Sequence, residues 1–279
     1  MKRILLLTDF SINATNAITY ALAHFTQQDC QYVVLNIQKS GDFNTDDLIT
    51  ATAGTSIYDS IIADNQLALD NYISELKTTY APQQLNVKGI VDYDVFTDAV
   101  NQVVLQHNID LLVMGTNGAT GAKEVLFGSN TLQVIRQVTC PLLVVPVGFE
   151  FKKIQRVLYT QTQSRNFSSN DFTPLLNFIA PTTPQIALLG IHSKDHLLQL
   201  DEELQHLKNT VFQSFNTKIA SLDGLDSKTA IDAYQQLNPV DLHVFFAQHE
   251  SVFYRLLFGS KTSQISQKSR VPLLILNQL

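Results

Sequence analysis

The stretch LLVMGTNGATGAKEVLFGSNTLQVIRQVTCPLLVVP, residues 111–146, decides how this chain is read. Residues 111–114 form an apolar run of the kind shown by a strand buried on both faces. Gly115, Gly118, Gly121 and Gly128 then punctuate a loop, and from Ser129 and Asn130 apolar residues recur at helical spacing until Pro141. Residues 142–145 read as another buried strand. Strand, glycine loop, helix, strand is a layout that binds phosphate. Loop and helix-start N–H groups converge on one spot, and the helix dipole favours negative charge there. A Cβ on these glycines would obstruct a ligand and penalise positive φ. The spacing G-x2-G-x9-G-S is neither the G-x-G-x-x-G of a dinucleotide fold nor a P-loop, since no lysine follows the last glycine. A ligand-free glycine turn remains the competing reading of the glycine count alone.

Working outward, residues 3–7 form a short apolar run ending in Thr8-Asp9-Phe10-Ser11, and a helical-period segment follows from Asn13. Buried strand, polar turn and amphipathic helix make the first βα unit of a parallel sheet. Ligands in such sheets sit at the carboxyl ends of strands, where Asp9 falls. Asp9 could instead cap the helix, although Ser11 and Asn13 could do so equally well. Residues 31–37 predict a second strand, 61–79 a helix, 85–91 a third strand, and a further helix runs to about Asn108. Between strand and helix, residues 38–58 are a long polar connection, either a lid or a plain excursion. Asp92 and Asp94 are spaced for acid/base work but read more simply as turn residues.

After Pro146 the pattern begins again. LFGSNTLQV (126–134) matches LFGSKTSQI (257–265) at an offset of 131, and nine of twenty positions in 126–145 are identical to their counterparts. IDLLV (109–113) pairs with VDLHV (240–244) at the same offset. Strands are expected at 156–160, 185–191, 240–246 and 272–276, with a helix at 195–214. The chain is therefore a tandem duplication, with domains at 1–147 and 154–279. Gly115 corresponds to Phe246, Gly118 to His249 and Gly121 to Val252, so the later copy lacks the glycine cradle; only Gly259 and Ser260 persist. Its first strand ends in TQTQ (160–163), with no carboxylate.

Composition limits the function classes. The net charge is −6, with 7 basic against 14 acidic residues in 1–147 and 12 against 11 in 148–279. Neither half carries the basic field that nucleic acid or an anionic membrane requires, so neither partner is expected. Cys30 and Cys140 are far apart and outside any metal-spaced set, which suits small core residues in a reducing compartment. The opening MKRILLLTDF is cut by Asp9 too early for a signal peptide, and a cytoplasmic protein is expected. His192 and His196 are four apart, a chelating spacing on a helix, but the segment reads as a strand-to-helix turn and no metal is assigned.

The 115–130 spacing, together with the amino-terminal Thr8-Asp9, resembles the nucleotide-binding loop of the universal stress protein family, in the subclass whose members bind ATP. The resemblance implies an α/β fold of two tandem Rossmann-like, adenine nucleotide alpha hydrolase-like domains, each a five-stranded parallel sheet with helices on both faces. It implies packing between the copies through residues 142–145 and 273–276, an intramolecular pseudo-dimer that leaves a further homodimer open. The implied ligand is ATP, with Mg²⁺ as an optional companion. Thr8 and Asp9 would meet the ribose, Ile37 and Met114 would flank the adenine, and Gly115, Asn117, Gly118, Gly128, Ser129 and Asn130 would hold the phosphates. Lys123 lies inside the loop and could neutralise phosphate or simply face solvent. No placed general base or arginine clamp is evident, so a nucleotide-responsive binding protein is favoured over an enzyme. The alternatives are a slow ATP hydrolase or nucleotidyl-transfer enzyme, and a ligand-free interaction scaffold.

Overall fold

A computed structural model describes residues 1–38, 57–81, 84–116, 128–165, 167–192, 197–247 and 271–277. The first half runs β1 (Lys2–Thr8), α1 (Ile12–His24), β2 (Cys30–Ile37), α2 (Ile57–Thr79), β3 (Asn86–Asp92), α3 (Phe96–His107), β4 (Leu111–Gly115), α4 (Ser129–Gln137) and β5 (Leu142–Val145). The second runs β6 (Arg156–Gln161), a 3₁₀ turn (Ser169–Phe172), α5 (Thr173–Ile179), β7 (Gln185–His192), α6 (Leu197–Asn209), β8 (Thr217–Asp223), α7 (Ser227–Leu237), β9 (Leu242–Phe246) and β10 (Leu273–Leu276). Among the described residues no helix is long and apolar enough to cross a membrane.

All ten strands belong to one sheet, in the order β3-β2-β1-β4-β5-β10-β9-β6-β7-β8. Each half repeats one strand order, parallel within itself. The halves meet where β5 and β10 pair antiparallel, Val144 opposite Leu273 and Leu142 opposite Ile275. Each half thus holds the expected five parallel strands, and the two join through their last strands into one continuous sheet with a single antiparallel seam. Apolar runs in the central strands are buried on both faces because alternate residues serve different cores. Ile4 and Leu6 belong to the core under α1, α2, α5 and α6, while Leu5 and Leu7 belong to the core under α3, α4 and α7.

Most element ends differ from expectation by a residue or two, as helix and strand ends commonly do, while α2 begins four residues earlier than expected, at Ile57. The larger misses are in the second half. Neither β8 nor α7 was located from sequence. β8 is an edge strand whose side chains are half-buried or exposed, apart from buried Thr217, so it lacks the apolar run that marks its neighbours. The expected helix at 195–214 is α6, ending at Asn209 in a turn. Cys30 and Cys140 are buried free thiols.

Side chains tie the halves together beyond the seam. Lys2 Nζ donates to the Asn177 carbonyl at 2.7 Å. His24 Nε2 donates to the Phe178 carbonyl at 2.9 Å, and its ring stacks on Phe178 at 4.1 Å. Burial holds the His24 imidazole down to about 4, with Lys2 pushing the same way. His243, which stands where the first half has Leu112, shares a hydrogen bond with Thr160 and is pushed by burial to about 3. Both rings are neutral when folded and depressed relative to the unfolded chain. Their contribution to stability is therefore complete above the unfolded value of about 6.5 and is lost as pH falls toward the folded values. The histidine contribution to the unfolding free energy should be flat above about pH 6.5 and fall below it, by roughly 2–3 kcal/mol per histidine near pH 4.5. Urea denaturation across pH should show a shallower acid limb for His243→Leu than for the parent.

Candidate functional site

A pocket opens at the carboxyl ends of β1, β2 and β4, where a doubly wound sheet places its ligands. Leu7, Thr8 and Asp9 form its β1 side, Leu35 and Ile37 its β2 side, and Met114 and Gly115 its β4 side, with Asn130 from the first turn of α4. Ser11, Asn13 and Ala14 of the α1 start complete the wall with Asp94 from the turn after β3 and Phe96 from the start of α3. Six residues singled out from the sequence, Thr8, Asp9, Ile37, Met114, Gly115 and Asn130, therefore share one cavity, although they come from segments far apart in the chain. Gly128 and Ser129 precede Asn130 at the α4 start. Asn117, Gly118, Gly121 and Lys123 lie outside the described residues, as do His196, His249, Val252, Gly259, Ser260 and nearly all of the 38–58 connection.

The turn after β1 is built to present Asp9. Ser11 is the N-cap of α1, accepting from the Ala14 N–H at 3.2 Å, so Asp9 is not the cap. Asp9 is exposed, and its Oδ1 accepts from the Ser11 N–H at 3.0 Å. Between them Phe10 has φ 60°, the left-handed region that side chains rarely enter. The strain is offset by Thr8 Oγ1, which accepts the Phe10 N–H at 3.0 Å, and by edge contact of Phe10 with Tyr72 at 5.9 Å. Backbone strain of this kind clusters at ligand sites.

The α4 start is arranged in the opposite way. Its N-cap is Gly128, which offers no side-chain acceptor, and no side-chain cap is present. First-turn N–H groups have no partner inside a helix, so among the described residues those of Ser129 and Asn130 are available to an anion. Helix α1 is capped and helix α4 is not, and only the latter carries the glycine.

Gly115 has a packing role beside the one the glycine spacing suggests. A Cβ there would lie 2.5 Å from the Asn13 carbonyl oxygen and 2.9 Å from its carbon. Its bareness lets the α1 start close on β4; at this position the demand comes from backbone packing as much as from a ligand. The second half makes the contrast. The registers of β6 with β9 and of β1 with β4 align Gln161 and Thr162 with Thr8 and Asp9. Phe246, in place of Gly115, is buried and stacks on Phe167 at 4.3 Å, with Phe172 at 5.1 Å. The helix after β6 begins only at Thr173. A carboxylate does reach this region, from α6: Glu203 accepts from Gln161 Nε2 at 2.7 Å, from Arg165 N at 2.8 Å and from Ser164 Oγ. Sequence showed no carboxylate on the strand and could not show one arriving from a helix.

Asp94 and Phe96 were missed as wall residues. Asp94 Oδ1 accepts from Val95 N at 2.7 Å and its Oδ2 from Gln102 Nε2 at 2.9 Å, so it does serve its turn while facing the pocket. Their position just after a strand end was the available signal. His192, at the end of β7, bonds Asp201 Oδ1 at 3.2 Å. Among the described residues no group of three metal-ligating side chains is found.

Comparison with known proteins gives a consistent picture. The model of the universal stress protein family matches residues 1–146. The universal stress protein MJ0577 of Methanocaldococcus jannaschii is 25% identical over 152 residues, 52% of this chain and 94% of that protein. Universal stress protein Slr1230 of Synechocystis is 26% identical over 173 residues, 61% of this chain and 58% of that protein. Among solved structures, a universal stress protein from Archaeoglobus fulgidus aligns with TM-score 0.67 at 16% identity, covering 99% of this chain and 96% of that one. A putative universal stress protein from Pseudomonas aeruginosa aligns with TM-score 0.64 at 9% identity, covering 100% and 94%. These structural likenesses carry the two-half fold.

Gly115→Ala should cost roughly 1–3 kcal/mol, because backbone rather than a flexible side chain must move. Urea denaturation reads the loss. A variant as stable as the parent would show that α1 does not depend on the bare glycine.

Proposed function

Because this chain belongs to the universal stress protein family, we propose that its first half binds ATP in the β1/β2/β4 pocket and that the protein acts as a nucleotide-responsive regulator. The observation that carries this reading is the convergence of Asp9, Ile37, Met114 and Asn130 on one cavity beside a glycine-capped helix start. Asp9, anchored through one oxygen, accepts a ribose hydroxyl with the other. Ile37 and Met114 sandwich the base with apolar side chains, and Thr8 shapes the ribose side. The N–H groups of Ser129 and Asn130 hold phosphate oxygens, with the Ser129 hydroxyl as a further donor. The residues present suit an adenine nucleotide: an apolar slot, one carboxylate for a diol, and uncapped amides for anionic oxygen.

The second half takes no triphosphate in this manner. Phe246 and its aromatic neighbours stand where the start of α1 closes on Gly115 in the first half, and Glu203 brings negative charge to the end of β6, the counterpart of the Thr8 and Asp9 position. Its contribution is to complete the sheet.

Calorimetry with ATP should register binding by the parent protein and binding weakened roughly tenfold by Asp9→Asn, the value of one charge-assisted hydrogen bond. With 2′,3′-dideoxy-ATP the parent and Asp9→Asn should bind alike, since the contact is already gone. No heat with ATP, or an Asp9→Asn effect that persists undiminished with the dideoxy nucleotide, would overturn the assignment.

A further inference from the structure

The halves also differ at the amino-terminal ends of β6, β7 and β8. Pairing registers equate Arg3, Val33 and Lys88 of the first half with Arg156, Ala187 and Lys218 of the second. The repeat offset of 131 equates His107, which ends α3, with Asn238, the C-cap of α7. In the first half Lys88 Nζ donates to His107 Nδ1 at 3.0 Å, and Val33 is buried. The second half keeps both cations but shrinks both neighbours, to Asn238 and Ala187. A cavity of about 180 Å³ stands there, lined by Arg156, Gln185, Ala187, Asn216, Lys218 and Asn238 among others.

The cations there are incompletely matched. Arg156 keeps a terminal nitrogen 3.5 Å from Asp241 Oδ1, but its Nε is buried without a hydrogen-bond partner. A buried donor left unpaired costs the desolvation of that group, so an acceptor belongs beside it. Asp241 does not fill the need: its Oδ2 already accepts from the N–H groups of Gln155 and Arg156. Among the described residues Lys218 has no side-chain acceptor such as its counterpart has in His107. Arg156, Gln185, Ala187 and Lys218 lie on one sheet face, because directly paired residues share a face. Arg156 and Lys218 stand two strands apart, about 10 Å across the sheet, with the small Ala187 side chain on the strand between them. The end of α7 presents carbonyls, which oppose an anion. Asn238 blunts this by donating to the Tyr234 carbonyl from N at 2.9 Å and from Nδ2 at 3.0 Å.

We propose that this cavity is a site for a tetrahedral oxyanion, phosphate free or at the end of a small ester, held between Arg156 and Lys218. Two cations that approach from different strands call for an anion with oxygens pointing in several directions, and a flat carboxylate offers fewer. The site is separate from the first-half pocket and does not depend on the nucleotide reading.

The test uses the full chain, calorimetry and two probes, inorganic phosphate and methyl phosphate. The parent should bind at least one of them, and methyl phosphate binding as tightly as inorganic phosphate assigns the ester. Lys218→Met should weaken binding roughly tenfold or more. Asn238→His, which restores the first-half plug, should weaken it as well. Both positions are exposed, so the thermal midpoint of Lys218→Met without anion should match the parent, and that of Asn238→His should fall by no more than the loss of one surface hydrogen bond, the Nδ2 contact with the Tyr234 carbonyl. Absence of binding by the parent, or binding that both variants leave unchanged, overturns the site; the second result would place the ion elsewhere or mark the cations as partners of the helix end only.

Discussion

The antiparallel ladder between β5 and β10 is the contact on which the architecture rests. Leu143, Val144 and Leu274 are wholly buried along it, and the strands on either side are parallel to their own half. Without this pairing each half would end in an apolar edge strand, a row of unpaired amides open to other chains. With it, one sheet forms and the second half is turned end for end. The carboxyl ends of β1, β2 and β4 therefore share a sheet end with the amino ends of β6, β7 and β8. Asn277 fastens this arrangement at the opposite rim, its Nδ2 donating to the carbonyls of Val138 and Cys140.

Within that frame, one position on the fourth strand of each half decides what can sit above it. Gly115 has no side chain, so α1 begins three residues after β1 and closes to van der Waals limits on Asn13. Phe246 needs room. The chain after β6 accordingly travels through Phe167 and Phe172 before a helix begins, and those rings pack around Phe246. The longer loop between β6 and α5 and the aromatic plug are one structural choice, made jointly by residues far apart in sequence.

Much of this was legible from sequence because the signals were strong. Apolar runs such as 32–35 and 142–145 mark buried strands, and the offset of 131 marks the duplication, both independent of tertiary detail. Asp9 follows from the strand-end rule and the start of α4 from the glycine spacing, whereas Thr8, Ile37 and Met114 came with the family resemblance. Other features were not legible for definable reasons. β8 is an edge strand with alternating, weakly apolar residues, so no periodic run announces it. Asp94 and Phe96 join the pocket only because β3 pairs with β2 in a particular register. Glu203 reaches the end of β6 across forty-odd residues, a tertiary contact with no local trace. Gly115 was recognised as obligatory, but its immediate cause is the α1 backbone, which a spacing motif cannot reveal.

The polar layer at the ends of the second and third strands of each half sharpens the contrast between the copies. In the first, Asn36 donates to the Thr8 carbonyl, Gln38 donates to Asn36 and Asn65, and Asn65 donates to Tyr93. Every member is neutral at ordinary pH, so this layer braces the pocket floor without adding charge beside it. The equivalent layer of the second half is His192, Asp201, Ser221 and Asp223, joined by Ser221 Oγ donating to Asp201 at 2.7 Å and His192 lying 3.2 Å from the same oxygen. Two carboxylates and the nearby Glu203 make that end acidic. The first half is no less acidic by count, since Asp92, paired with Ile37, stands beside Asp9 and Asp94. What separates the halves is therefore steric: Phe246 and its ring neighbours in one, Gly115 and the glycine-capped start of α4 in the other. The substitutions that made the plug are coupled, because Phe246 and the aromatic loop that packs on it would have to change together for the second half to take the form of the first.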